Sequence, residues 1–182
     1  MQNAVETASL RNKIFGFIKE WAFIPLTVLA TVVLFRGILV IGVVPTTSME
    51  PTVASGSFFV GNRLADHGGL ERGDKILFYF QSIHGRVLYL KRVIGLPGDT
   101  VSFRDGDVYI NDEKLEEPYL PDGTETNSEV ESFTVPSDCY FVLGDKRRDS
   151  YDSRWWPNPY VSFDDVCGKG LLFVNIPWWD GN

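Results

Sequence analysis

The sequence predicts a mainly β fold, in which an N-terminal transmembrane helix is followed by an all-β domain. An apolar run extends from Trp21 to Val44, with Arg36 as its only charge. After residue 45, short stretches rich in β-branched and aromatic residues recur between Gly, Pro, Asn and Asp, and no segment of comparable strength has a helical period. The 182 residues have room for one ordinary domain and one appendage.

The apolar run is long enough to cross a membrane as a helix, because at about 1.5 Å per residue it spans roughly the 30 Å of a hydrocarbon core. A cleaved signal peptide is the alternative, but no A-x-A-like cleavage site follows the run. A charge inside lipid is costly, so Arg36 leads us to expect that residues 18–36 are embedded. Residues 37–44 are then expected to run along or just above the outer surface.

The charges before the apolar run predict its orientation. Arg11, Lys13 and Lys19 precede it, and the positive-inside bias places such a segment in the cytoplasm. The predicted organisation is a cytoplasmic segment at 1–20, a transmembrane anchor with its outer extension at 21–44, and an extracytoplasmic β domain at 45–182. The predicted location is the cell membrane, which the chain crosses once.

The predicted strands of the β domain follow one another in short succession. They are SFFVGNRL, KILFYF, RVLYLKRVIG, DTVSF, DVYI, SFTV, CYFVLG and GLLFVNI. QSIHGR and RDGD indicate hairpin turns between neighbouring strands, and LPGD has a Pro-Gly pair suited to a type II turn. Residues 118–132 are polar and acidic, which predicts a mobile loop.

The composition argues against two kinds of function. The formal net charge is −7, which argues against nucleic acid as a partner. Cys139 and Cys167 are the two cysteines, and with His67 and His84 they lack the spacing of a structural zinc site. We therefore expect no metal and no cofactor, and the sequence leaves open whether the two cysteines pair.

The stretch PTTSMEPT directly after the anchor presents a candidate nucleophile, Ser48. A serine hydroxyl needs a base within hydrogen-bond reach, and most serines in such turns only bond locally. Two features favour a functional interpretation here. Ser48 follows directly on the anchor, and the Thr46 hydroxyl and the Ser48 backbone N–H are suited to stabilise an oxyanion together. Histidine is the usual base, but His67 precedes a Gly-Gly pair and His84 occupies a hairpin turn, so both are expected to be solvated.

Lysine is the alternative base, because a buried amine titrates far below its usual pKa. YLKRVIGLPGD supplies Lys91 on a predicted strand, where successive side chains face opposite sides. Arg92 therefore faces away, and the same-face neighbours of Lys91 are Val87, Tyr89 and Val93. A lysine that extends to solvent at a sheet edge is the competing interpretation.

A third stretch, GDKRRDSYDSR at residues 144–154, has dense alternating charge and is typical of a solvated loop. In the functional interpretation, Ser150 donates or accepts a hydrogen bond that orients the lysine amine. Asp152 and Arg154 then form an ion pair that fixes the loop.

Taken in this order, PTTSMEPT, GDKILF, YLKRVIGLPGD and GDKRRDSYDSR resemble the signature segments of the bacterial type I signal peptidases, membrane-bound Ser/Lys proteases. The resemblance implies an all-β catalytic domain that removes signal peptides from exported preproteins after small residues. It implies that Ser48 is the nucleophile and Lys91 the general base. The supporting positions implied by the resemblance are Thr46 at the oxyanion hole, Tyr89 beside the pair, and Ser150, Asp152 and Arg154 in the last segment.

The last segment departs from the family pattern, because Lys146 replaces an asparagine and Arg148 an acidic residue. Their charges either lower the pKa of Lys91 further or face solvent. The resemblance implies preprotein signal peptides as substrates, with membrane lipid and the secretion translocon as partners. The alternatives are a pilin or conjugation processing peptidase with narrow substrates, and a catalytically silent, membrane-tethered β domain that binds export components.

Overall fold

The computed structural model describes residues 16–65, 69–83 and 85–175. The chain divides after Ile38 into an N-terminal helical unit and a β unit. This architecture confirms the predicted mainly β fold with an N-terminal apolar helix. His67 and His84 lie outside the described residues, as do Arg11 and Lys13.

The described part of the helical unit, residues 16–38, is an apolar helix. Residues Gly16–Ile38 are long and apolar enough to cross a membrane, and none of the span is buried. Its regular part is α1 (Phe23–Val33), which continues as a π-helical stretch over Leu34–Ile38. The Thr27 hydroxyl donates to the Phe23 carbonyl at 2.7 Å, and the Thr31 hydroxyl donates to the Thr27 carbonyl at 2.8 Å. Both hydroxyls are thus satisfied within the helix, as a lipid environment requires.

The structure divides the apolar run between a helix and a strand. Residues 37–44 were expected to extend the anchor along the outer surface, but the helix ends at Ile38 and Leu39–Val43 form the strand β1. Five residues of β1 pair with β2 (Phe58–Asn62), from Leu39 opposite Asn62 to Val43 opposite Phe58. The ladder satisfies the backbone groups of this β-branched segment, which is therefore part of the β unit.

The described residues of the β unit form two antiparallel sheets. The larger has the order β1-β2-β11-β3-β4-β9-β10, and the smaller has the order β7-β6-β5-β8. The remaining strands are β3 (Lys75–Ser82), β4 (Gly85–Gly95), β5 (Thr100–Arg104), β6 (Asp107–Ile110), β7 (Glu113–Lys114), β8 (Ser132–Thr134), β9 (Cys139–Leu143), β10 (Val161–Ser162) and β11 (Val166–Val174).

The turns lie where their sequence signals predict them. β3 and β4 form a hairpin that closes at Ser82 opposite Gly85. In the β5–β6 hairpin, Asp105 and Gly106 both have positive φ, 53° and 82°, as a type I′ turn requires. In the LPGD turn between β4 and β5, Gly98 has a φ of 84° and the Asp99 N–H donates to the Leu96 carbonyl at 3.0 Å. The glycines supply the left-handed backbone that other residues adopt at a cost.

Among the described residues, the hydrophobic core has three parts that follow the alternation along the strands. One face of β3 and β9 contributes Phe78 and Val142 to a cluster with Trp156. The opposite face of β3 contributes Leu77, which packs with Met49 and Phe59. The third cluster joins the two sheets. Its buried members are Ile94, Val101, Val108, Ile110, Phe133, Val135, Phe141 and Leu143.

The acidic segment predicted as a mobile loop is irregular up to β8, but buried hydrogen bonds hold it in place. Thr126 is 2% exposed, and its N–H donates to the Gly106 carbonyl at 2.7 Å. The Asn127 carbonyl accepts a hydrogen bond from Arg154 at 3.0 Å. The loop is therefore fixed at its centre.

Candidate active site

Ser48 lies in the turn that follows β1, and contacts with the hydrophobic core hold this turn in place. The side chain of the next residue, Met49, is completely buried, and its carbonyl accepts from the Val53 N–H at 2.8 Å. The Ser48 carbonyl accepts from the Lys146 N–H at 3.0 Å. The main chain at Ser48 and directly after it is thus held by the β unit.

Lys91 contacts Ser48 directly. Its Nζ donates to Ser48 Oγ at 2.6 Å, although the two residues are 43 positions apart in the chain. Lys91 lies on β4 and is 4% exposed. Its amine lies 5.6 Å from the centre of the Tyr89 ring, so Tyr89 is beside the pair as predicted. Thr46 is also near, with its Oγ1 3.3 Å from Ser48 Oγ.

The predicted alternation along β4 is found at Lys91 and Arg92. Lys91 reaches Ser48, whereas Arg92 makes two hydrogen bonds to the Asp145 carboxylate, at 2.8 and 2.6 Å. Of the expected same-face neighbours, Val93 is fully buried, but Val87 is 40% exposed. Val87 lines the cleft at the pair and does not belong to the core.

Burial determines the electrostatics of Lys91. It lowers the pKa of the amine from 10.5 to about 8, because an ammonium ion loses its hydration there. The nearby Asp152 and Asp145 carboxylates raise this pKa, and the Arg154 guanidinium lowers it. The amine is therefore neutral in a useful fraction of molecules near neutral pH, when it can accept a proton.

Asp152 and Arg154 form the predicted ion pair, and both are buried. Arg154 Nε and Nη2 each donate to the Asp152 carboxylate at 2.9 Å. The carboxylate also accepts from the Gly144 N–H at 3.0 Å, and Arg154 Nη2 donates to the Arg147 carbonyl at 2.7 Å. The pair therefore fixes the main chain of the 144–154 segment near Ser48.

Ser150 does not form the predicted bond to Lys91. It is 5% exposed, and its Oγ has no hydrogen-bond partner among the described residues. The Oγ lies against Gly144, where a Cβ would be 2.1 Å from it and 2.5 Å from the Ser48 carbonyl oxygen. Ser150 therefore packs close to Ser48, and among the described residues the side-chain hydrogen bond of Lys91 Nζ is the one that it donates to Ser48 Oγ.

The two departures in the last segment, Lys146 and Arg148, pair with carboxylates. Lys146 Nζ lies 3.3 Å from the Glu50 carboxylate and 3.4 Å from that of Asp149. The Arg148 side chain is 79% exposed and lies 3.7 Å from Glu125. Neither residue is among the groups that change the pKa of Lys91. Of the two possibilities that the sequence left open, the structure supports side chains that face solvent, where both also pair with carboxylates.

Sequence reasoning missed a second set of buried charges beside the pair. Arg92 and Asp145 bond face to face, and the Tyr119 ring lies 3.7 Å from the Arg92 guanidinium carbon. Arg147 donates to the Glu117 carboxylate at 2.8 and 2.6 Å. The sequence did contain a signal for the Arg92–Asp145 pair. Alternation along the strand turns Arg92 away from Lys91, and an arginine that is buried there needs an acidic partner.

The Ser48–Lys91 pair opens into a cleft of about 520 Å³. Its walls are mainly apolar and come from the turn at Ser48, from β4 and from the core. They include Val43, Val44, Pro45, Phe59, Leu77, Leu88 and Leu90. Along this stretch, β4 pairs with β3 on one edge, and β9 pairs only at Arg92, Val93 and Gly95 on the other. Among the described residues, the second edge of β4 is thus free between Arg86 and Lys91.

This arrangement is suited to acyl transfer. A serine hydroxyl bonded to a buried amine can lose its proton as it attacks a carbonyl, and the amine can then protonate a leaving group. The free strand edge and the apolar cleft are suited to an extended peptide. The fold and the geometry together indicate a serine-type peptidase.

Comparisons with known proteins identify the family. The family "Signal peptidase, peptidase S26" matches residues 18–179. Signal peptidase I of Bacillus caldolyticus is 36% identical over 175 residues, which are 88% of this chain and 90% of that protein. Signal peptidase I of Bacillus licheniformis is 37% identical over 161 residues, 82% of each chain. The chain belongs to the signal peptidase family S26.

A solved structure is also similar to the chain. The crystal structure of a signal peptidase I from Enterococcus faecalis V583 has 36% sequence identity and a TM-score of 0.46. The match covers 55% of this chain and 95% of that one.

Proposed function

We propose that the chain is a membrane-anchored serine endopeptidase that removes N-terminal signal peptides from exported preproteins after small residues. The observation that carries this proposal is the 2.6 Å hydrogen bond from Lys91 Nζ to Ser48 Oγ at an apolar cleft. Membership of the S26 family and the signal peptidase I relatives support it. A silent binding domain is not favoured, because it does not require a buried lysine amine on a serine hydroxyl.

In the proposed mechanism, neutral Lys91 takes the proton of the Ser48 hydroxyl as Oγ attacks the scissile carbonyl. The resulting oxyanion accepts hydrogen bonds from the Ser48 backbone N–H and the Thr46 hydroxyl. Protonated Lys91 then gives its proton to the leaving amine, and the signal peptide remains as an ester on Ser48. A water molecule, deprotonated by Lys91, hydrolyses the ester and returns the proton to Ser48 through the amine.

The remaining proposed roles are structural. The Tyr89 ring covers the amine and excludes water from one side, which keeps its pKa low. Asp152 and Arg154 hold the 144–154 segment whose Lys146 N–H bonds to the Ser48 carbonyl. Ser150 fills the space over Gly144 and keeps this segment close to the Ser48 main chain.

The substrate is proposed to bind as an added strand. The free edge of β4 offers backbone hydrogen-bonding groups to an extended chain, and alternate substrate side chains then point into the cleft. The residue before the cut and the one two positions earlier face the same wall. A wall that contains Val44, Leu88 and Leu90 favours small apolar side chains there.

The proposed location is the cell membrane, with the N-terminus in the cytoplasm and the β unit outside. The apolar helix Gly16–Ile38 supports the contact with lipid. The basic residues Arg11, Lys13 and Lys19 support the orientation. A contact with the secretion translocon stays a prediction that follows from the substrate class.

Incubation of the purified full chain with a preprotein tests this function. The wild type is expected to release a mature protein that begins after an A-x-A-like sequence, as measured by intact mass. Ser48→Ala is expected to release none while its thermal unfolding stays cooperative. Equal release by both proteins would disprove the role of Ser48, and no release by the wild type from several preproteins would disprove the function.

A further inference from the structure

The buried carboxylate of Glu117 lies in the irregular segment before β8. No proposed catalytic step uses this carboxylate. Its side chain is 11% exposed. It accepts two hydrogen bonds from the Arg147 guanidinium, at 2.8 and 2.6 Å, and a third from the Tyr119 hydroxyl. Three charge-assisted bonds to one carboxylate make a strong and directional contact.

From Glu117, two routes lead to the turn that begins at Gly144. In the first, Arg147 Nε donates to the Gly144 carbonyl at 3.1 Å. In the second, Tyr119 covers the guanidinium of Arg92, which holds the Asp145 carboxylate at 2.8 and 2.6 Å. We call Glu117, Tyr119, Arg147, Arg92 and Asp145 the Glu117 network.

The turn held by this network is in contact with the main chain of Ser48. The Lys146 N–H donates to the Ser48 carbonyl at 3.0 Å. The approach at Gly144 is so close that a Cβ there would lie 2.5 Å from the same carbonyl oxygen. A displacement of residues 144–146 therefore moves the Ser48 main chain, and with it the hydroxyl that bonds to Lys91.

We infer that Glu117 is a positioning residue for the Ser48–Lys91 pair, acting through Arg147 and Tyr119 on the 144–146 turn. The inference rests on the proposed function and adds to it a residue outside the recognised segments. Glu117 does not line the cleft. Its loss should therefore lower the rate of the chemical step and leave substrate binding nearly unchanged.

The test uses the full chain in detergent micelles and a peptide that spans an A-x-A cleavage site. Glu117→Gln keeps the size of the side chain but presents an amide N–H to the guanidinium. The expected result is a fall in kcat of at least about tenfold, with KM within about threefold of wild type. The control is Glu125→Gln, which removes the same charge from an exposed residue of the same segment and should leave both constants unchanged.

The pH profile separates positioning from a simple loss of folded protein. Burial is the largest cause of the low pKa of Lys91, and the charged groups that act on it are Asp152, Asp145 and Arg154. A loosened turn admits water to the amine, so the rising limb of kcat in Glu117→Gln should move to higher pH by about half a unit or more. If the variant only contains less folded protein, kcat falls by the same factor at every pH at which the protein is folded, and the rising limb of the pH profile stays at the wild-type pH.

Tyr119→Phe serves as a second variant, because it removes only the hydroxyl bond to Glu117 and keeps the ring over Arg92. It should lower kcat severalfold, move the limb in the same direction, and decide the question if Glu117→Gln does not fold. Wild-type kcat, or an unmoved limb, in a folded Glu117→Gln or in Tyr119→Phe would overturn the inference. A wild type no more active than Ser48→Ala would instead overturn the proposed function.

Discussion

The pH dependence of cleavage is the prediction that follows most directly from the environment of Lys91. Only the neutral amine accepts the Ser48 proton, and burial lowers its pKa from 10.5 to about 8. At pH 7 about one amine in ten is then neutral, compared with about three in ten thousand for a lysine in water. At pH 6 the neutral fraction falls to about one in a hundred.

The value of kcat/KM should therefore rise about tenfold per pH unit between pH 5.5 and 7.5 and reach a plateau above pH 9. The assay is steady-state cleavage of a fluorogenic peptide with an A-x-A site, because kcat/KM reports the free enzyme. A peptide that lacks a small residue before the cut is the control for non-specific cleavage. A profile that is flat from pH 5 to 10, or whose midpoint lies near 10.5, would refute the assignment of a buried lysine base.

Three other predictions concern stability, substrate choice and orientation. Between pH 8 and 10.5 the unfolded chain holds a proton on Lys91 that the folded chain has released, so the free energy of unfolding of the wild type rises with pH in this window. Below pH 8 the buried ammonium ion lowers that free energy by about 3 kcal/mol. Lys91→Met should therefore unfold at a higher temperature than wild type at pH 7, and the difference should shrink towards pH 10.5; a difference that grows with pH would contradict the stated cause. A bulky residue immediately before the cut should lower kcat/KM by about two orders of magnitude, and the same change one position earlier should matter far less; equal effects would argue against strand addition. Protease added to cells with permeable walls should digest the β unit, whereas complete protection would reverse the proposed orientation.

Local patterns were sufficient to predict most of the β fold. The hairpin at RDGD was predictable because Asp105 and Gly106 both tolerate positive φ, and β4 was predictable from its β-branched and aromatic residues. β1 was not recognised, because Leu39–Val43 continues an apolar run and hydropathy does not register the pairing with β2. Only the long-range ladder distinguishes this strand from the end of the helix.

The site was predictable to the extent that it depends on alternation along one strand. Alternation separates Lys91 from Arg92, and the structure brings Lys91 to Ser48. The orientation of the Ser150 hydroxyl was not predictable, because it depends on the close packing against Gly144. Glu117 was missed because it lies in an irregular acidic segment, where no periodicity distinguishes a buried carboxylate from a solvated one.

The most direct test of the account compares Ser48→Ala, Lys91→Ala and the double variant in cleavage of one preprotein. Nucleophile and base act as a unit, so each single change should lower kcat/KM by about four orders of magnitude or more, and the double change should lower it no further. Cooperative thermal unfolding of all three variants serves as the control for folding. Activity within a few-fold of wild type in either single variant, or losses that multiply in the double variant, would contradict a Ser48–Lys91 catalytic pair.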